Sequence, residues 1–182
     1  MADTTFVNSV TLTDAEWFND LNDAFYTALG GVAGAGTITK VQFPATQVAS
    51  ANANALDDYE EGTWTPTVGG TSTYTIQRGQ YTKIGNLVTF MGHFVINAIG
   101  TGSTSIISGL PFTAVNDNNR GGVTVSSFGS LAVNAIYLTG YVDFNTTTIQ
   151  FQGSAAAATG LSTLAIFGNG ADVYFHGHYY VS

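Results

Sequence analysis

Three groups of side chains in this sequence are of types and spacings that could do chemistry. The first is His176-Gly177-His178. Alternate residues of a strand share one face, so both imidazoles would lie together with Tyr174 and Tyr180. Two histidines on one face can ligate a metal when further donors join them; the plainer reading is a polar or subunit-facing surface, and no metal is assigned. The second group is the carboxylate run Asp57, Asp58, Glu60 and Glu61, set around Tyr59 and just ahead of Trp64. Oxygen ligands of this kind suit a divalent cation, whereas a run at a junction reads first as a solvated collar that turns the chain. The third is the aromatic set Trp64, Tyr174, Phe175, Tyr179 and Tyr180. Such rings either fill a core or a subunit seam, or stack on the sugar rings of a surface glycan.

Catalysis finds little footing. A nucleophile needs a base beside it, and His93, His176 and His178 have no diagnostic serine motif near them. Glycoside hydrolysis needs two positioned carboxylates; beyond Gly62 only Asp117, Asp143 and Asp172 exist, each in or near an expected turn. The chain has no cysteine, which removes disulfides, thiolate catalysis and cysteine-ligated zinc. The expectation is therefore a protein that is not an enzyme and needs no cofactor. Nucleic acid is also an unsuitable partner: four basic residues in a chain of net charge −8 cannot build the cationic patch that replaces phosphate counterions.

The charge is unevenly placed. Within LDDYEEGTWTPTVGG, residues 56–70, the acidic run gives way to an uncharged, strand-like stretch. Every unit of net charge lies before Gly62; beyond it, Arg78, Lys83 and Arg120 balance the three aspartates. The segment is a joint between two unequal parts: an acidic part, made of an arm and helix over residues 1–35 and a linker and acidic collar over 36–61, and one β domain over 62–182. At 182 residues the chain is long enough for one well-buried domain and an accessory segment. Its 9% charged content is far below the ~25% of ordinary soluble domains, which suggests that other subunits cover part of the surface. No basic and apolar leader opens the sequence and no run of ~18 apolar residues interrupts it. The expectation is a product assembled in a cytoplasm without membrane insertion.

Leu12-Thr13-Asp14-Ala15-Glu16-Trp17 carries a helix start: Thr13 can cap, Glu16 can complete the capping box, and Leu12 can staple onto Trp17. A helix over Asp14–Leu29, ended by Gly30-Gly31, would align Trp17, Phe18, Leu21 and Phe25 on one stripe. At ~24 Å from ~1.5 Å per residue it is marginal alone and has to dock. Its partner is other copies of itself, a larger assembly, or the β domain. Residues 37–55 then read as a spacer, low in complexity from Val48 onward.

After Gly62 the period becomes two. Strands are expected within residues 73–84, over Leu87–Asn97 after a Gly85-Asn86 turn, and over Ser103–Ser108, Gly122–Ser127, Ile136–Phe144, Thr147–Gln152 and Ala171–Val181. Residues 154–161, rich in alanine, are a loop or a short helical turn. Seven or eight short strands with such turns predict a mainly β protein whose head is an antiparallel β-sandwich of jelly-roll type.

Thr4-Thr5-Phe6-Val7-Asn8 with Ala15-Glu16-Trp17-Phe18-Asn19-Asp20-Leu21 resembles the virion-attachment segment that opens many bacteriophage tail-fibre and tailspike proteins. Val41-Gln42-Phe43-Pro44, Leu56-Asp57-Asp58-Tyr59-Glu60-Glu61-Gly62-Thr63-Trp64-Thr65-Pro66 and Gly79-Gln80-Tyr81-Thr82-Lys83-Ile84-Gly85-Asn86 are similar to a module of phage structural proteins. The resemblance implies a virion-located homotrimer. Its N-terminal helices would gather on a three-fold axis or insert into a tail, portal or capsid partner, and its β heads would contact a host surface, including surface glycan. A short tail fibre or spike-like appendage is the first expectation. Because the β domain is short for such fibres, a capsid decoration or cement protein stabilising the head shell is the alternative, and a glycan-processing enzyme is a third, from another class.

Overall fold

The computed structural model of the chain describes residue 56, residues 58–157 and residues 160–182. All belong to the second of two units into which the chain divides, Gln47–Ser182. The expected anchor residues Trp17, Phe18, Leu21 and Phe25, most of the linker, and Asp57 lie outside the described residues.

Eight strands form one antiparallel sheet. They are β1 (Tyr59–Trp64), β2 (Thr73–Ile84), β3 (Leu87–Ala98), β4 (Ile106–Ser108), β5 (Gly121–Gly129), β6 (Tyr137–Val142), β7 (Thr148–Ser154) and β8 (Asp172–Tyr180). Their order across the sheet is β1-β2-β3-β8-β5-β6-β7-β4. The β2–β3 hairpin turns at Gly85-Asn86, where Gly85 adopts φ +56°, a conformation without side-chain penalty only for glycine. From that turn the two long strands stay in register from Ile84↔Leu87 to Ile76↔Val95.

Among the described residues the expected antiparallel β structure holds, but its arrangement in two sheets does not. One sheet curls until the chain just beyond β1 reaches β4, where Thr67 and Ser108 exchange backbone bonds of 3.1 and 2.7 Å. An irregularity between Thr73 and Ile76 and a bulge at Ser126 provide the local bends that such curling uses. A sheet that wraps its own inner face needs no second sheet to cover it.

Alternation decides what that inner face contains. On β8, Val173, Phe175 and Tyr179 are buried, while Tyr174, His176, His178 and Tyr180 are exposed. Phe175 sits at the centre of an aromatic cluster, edge-on to Phe151 at 5.5 Å, Phe94 at 6.0 Å and Trp64 at 6.1 Å between centroids. Such edge-to-face pairs contribute ~0.5–1.5 kcal/mol each beyond burial. Room for them comes from inward glycines: a Cβ at Gly92 would lie 2.3 Å from the Phe175 ring, and one at Gly79 would lie 2.4 Å from the Trp64 indole.

The boundary expected at Gly62 falls inside β1, all six of whose residues pair with β2 from Tyr59↔Ile84 to Trp64↔Gly79. The β unit therefore begins before the last carboxylates rather than after them.

Candidate functional site

The acidic joint is built into the sheet. Asp58 is buried and its carboxylate pairs with Lys83 of β2, whose side chain is equally enclosed. The expected wet collar thus fails at Asp58, because Lys83 occupies an inward position and brings a charge that must be matched. Glu60 accepts a hydrogen bond from Tyr81 and Glu61 accepts one from Tyr59. The bond to the Glu60 carboxylate, with partial burial, pushes the Tyr81 phenol up to about 12. Tyr59 is raised too, first by its bond to Glu61. Trp64 is buried and donates its indole N–H to the Met91 carbonyl at 3.1 Å. It is a core residue rather than a free stacking platform, as are Phe175 and Tyr179. The Tyr179 hydroxyl donates to the Phe112 carbonyl at 3.0 Å, and burial lifts its phenol to about 12.

The opposite face of the same strands is the candidate site. By register, outward positions fall in rows across the sheet. Gln80 of β2 lies opposite Met91 of β3, which lies opposite His176 of β8, which lies opposite Thr124 of β5. The next row runs Arg78, His93 and Tyr174. The outer surface here carries two adjoining open hollows of about 970 and 760 Å³ that share Gln80, Met91 and His176. The shared residues make them one trough.

Its floor is mostly uncharged and rich in hydrogen-bonding groups. Thr82, Thr89, Thr124 and Thr139 line the larger hollow beside His178 and Tyr180; Thr63, Ser126, Arg78, His93 and Tyr174 line the smaller. The His93 and Tyr174 rings are stacked 3.6 Å apart and 13° from parallel. Asp172 holds His93 Nε2 at 3.0 Å from the neighbouring row, fixing the ring plane. Ser126, on the bulge of β5, bonds His176 Nδ1 at 3.1 Å.

The structure brings together what alternation predicts on β8: His176 and His178 share one face with Tyr174 and Tyr180. No third His, Asp or Glu completes a metal-holding group among the described residues. The carboxylates are dispersed: Asp143 bonds Arg120 at 3.1 Å, Asp117 bonds Asn119, and Asp172 is committed to His93. Sequence reasoning missed Arg78, His93, Met91, Gln80 and Ser126 as parts of this surface. Strand parity alone marks Arg78, Gln80 and Thr82 as one face, but no rule in the sequence places that face beside β8.

No protein-family description matches the chain, and no curated protein matches it. Among solved structures it is similar to that described as "Crystal structure of Dettilon tailspike protein (gp208)", at 13% identity and a TM-score of 0.53. The likeness covers 66% of this chain and 23% of that one, so the chain spans under a quarter of that protein's length. At this identity the likeness is one of fold: the curled antiparallel sheet is an architecture also found in a phage tailspike.

Proposed function

We propose that this chain is a bacteriophage virion structural protein, a homotrimeric short tail fibre or spike-like appendage. Its N-terminal segment attaches it to the particle, and its curled sheet is displayed for host contact. The observation that carries the reading is the outer face of β2, β3, β8 and β5, whose two hollows offer uncharged hydrogen-bonding side chains and exposed rings on a fold shared with part of a tailspike. Neutral donors and acceptors interleaved with aromatic faces suit the hydroxyls and C–H faces of sugars.

A trimer is supported by the low charge of the chain and by a row of outward apolar side chains at one end of the sheet. Tyr59, Ile84, Leu87 and Tyr180 are register partners, and Ile84 and Tyr180 are about half exposed. A subunit contact would remove that row from water. The test is immunogold labelling of intact particles with antibody to the β unit, together with copy number by quantitative mass spectrometry. Tail labelling at low copy number in multiples of three is expected. Labelling spread over the head at high copy number would replace the appendage with a shell-decorating protein.

A further inference from the structure

Beyond Gly62 the chain holds three acidic and three basic residues, and no Asp or Glu lines either hollow. One cation, Arg78, lines the smaller hollow with the imidazoles of His93 and His176, and His176 and His178 line the larger. Arg78 is singular among the described cations. Lys83 is paired with Asp58 and Arg120 with Asp143, whereas Arg78 has no carboxylate partner among the described residues. The acid nearest in register, Asp172, is already held by His93. The guanidinium therefore faces the trough with its planar donor fork uncommitted, the geometry that takes a carboxylate through two parallel bonds. Beside it lie the stacked His93 and Tyr174 rings, and Tyr174 is 44% exposed.

We infer that the Arg78 half of the trough binds a carboxylate-bearing saccharide, with Arg78 taking the carboxylate and the Tyr174 side of the stacked pair taking a sugar face. This rests on the host-contact reading and narrows it to acidic glycans. A nucleic acid would need several cations along its backbone, and one guanidinium among neutral side chains does not supply them. A peptide strand would need an open sheet edge, but β2, β3, β8 and β5 are all interior strands. One fixed positive charge ringed by neutral donors instead matches a polymer with one carboxylate per repeat and many hydroxyls. No acidic residue lines this hollow, and the nearest carboxylate in register, Asp172, is held by His93 Nε2 at 3.0 Å.

The test is biolayer interferometry with the full chain against polygalacturonate, alginate, hyaluronan and polysialic acid, each beside its carboxyl-reduced form, with dextran as the neutral control. At least one acidic polymer is expected to bind. Carboxyl reduction or Arg78→Gln should each weaken it about tenfold or more, as for loss of a charge-assisted pair. Arg78→Lys, which keeps the charge without the fork, should fall between, and Tyr174→Ala should also weaken binding at unchanged oligomeric mass. Equal binding of the carboxyl-reduced polymer, or binding indifferent to Arg78→Gln, would overturn the carboxylate assignment while leaving glycan contact standing. If no polymer binds, the inference is overturned. If Arg78→Gln and Tyr174→Ala then dissociate the oligomer, the trough is a seam between copies and host contact through this face falls with it.

Discussion

Replacing Asp58 by Asn should cost far more than a surface carboxylate would. Asp58 and Lys83 side chains are 8% and 7% exposed, and their ion pair ties the residue before β1 to the far end of β2. Asn keeps the shape and removes the charge, leaving the Lys83 ammonium enclosed beside the Phe112 ring, whose centroid lies 5.7 Å away. Breaking a buried pair in this way costs about 3–5 kcal/mol, most of it the penalty of the orphaned ion. Domain stabilities are ~5–15 kcal/mol, and at this size each kcal/mol moves Tm by ~3–5 °C, so a drop of ~10–20 °C is expected. The double variant Asp58→Asn, Lys83→Met should recover most of that loss, because it removes the orphan and keeps the packing volume. Differential scanning calorimetry of the wild type, both single variants and the double variant closes the cycle. A loss under ~1 kcal/mol for Asp58→Asn, the value of an exposed pair, would refute the burial of the joint and restore the solvated collar.

Three further outcomes follow from the inner face. Gly92→Ala would drive a Cβ to within 2.3 Å of the Phe175 ring, so a loss of ~1–3 kcal/mol from overpacking is expected in urea unfolding, reduced when combined with Phe175→Leu. Tyr179→Phe removes the hydroxyl that both donates to the Phe112 carbonyl and accepts from the Phe112 N–H, and should cost ~1–2 kcal/mol while raising hydrogen exchange at Phe112. Alkaline melts read the phenols: Tyr81 and Tyr179 are raised from 10.0 to about 12 in the folded chain. Their contribution is complete below pH 10 and lost between pH 10 and 12, since only the unfolded chain ionises freely there. Tyr81→Phe should flatten that decline; an unchanged slope would argue against the Glu60 bond.

Much of the sheet was legible because its strands keep a period of two over most of their length, interrupted only near Thr73–Ile76 and at Ser126 among the described strands. Leu87–Asn97 and Ala171–Val181 were expected and Leu87–Ala98 and Asp172–Tyr180 are observed, since both runs are rich in β-branched and aromatic residues and are bounded by turn chemistry. The Gly85-Asn86 turn was equally plain. What escaped was order across the sheet. That β8 lies between β3 and β5 is a long-range pairing, and no local pattern distinguishes one curled sheet from two stacked ones. The joint was misread for a related reason. Four carboxylates in a row look solvated when considered alone; the corrective signal was Lys83, at the same parity as Gly79 and Tyr81 and therefore inward. A lysine on the core face requires an acid, and among described residues Asp58 supplies it. The trough was half legible: parity gave the shared face of Tyr174, His176, His178 and Tyr180, but its complement on β2 and β3 needed the register.

The core and the trough lie mainly on opposite faces of the same strands, with Trp64, Phe90, Val123 and Phe175 bordering both, and this has a consequence for how the surface can change. On β8, Phe175 points into the aromatic cluster while its neighbours Tyr174 and His176 point out; on β2 and β3, the inward Gly79 and Gly92 alternate with Arg78, Gln80, Met91 and His93. Glycine at those two inward positions lets the Trp64 and Phe175 rings lie close against the sheet. Packing is thereby settled from inside, and the outward residues are free of it. Exposed positions without buried partners usually move stability by no more than ~0.5 kcal/mol. The outward residues of the trough can therefore vary while the curled sheet beneath them stays fixed. Inward substitutions act the other way: a change at Gly92 or Phe175 is expected to shift the backbone that sets the spacing of the Arg78, His93 and Tyr174 row, so stability and the geometry of that row should change together.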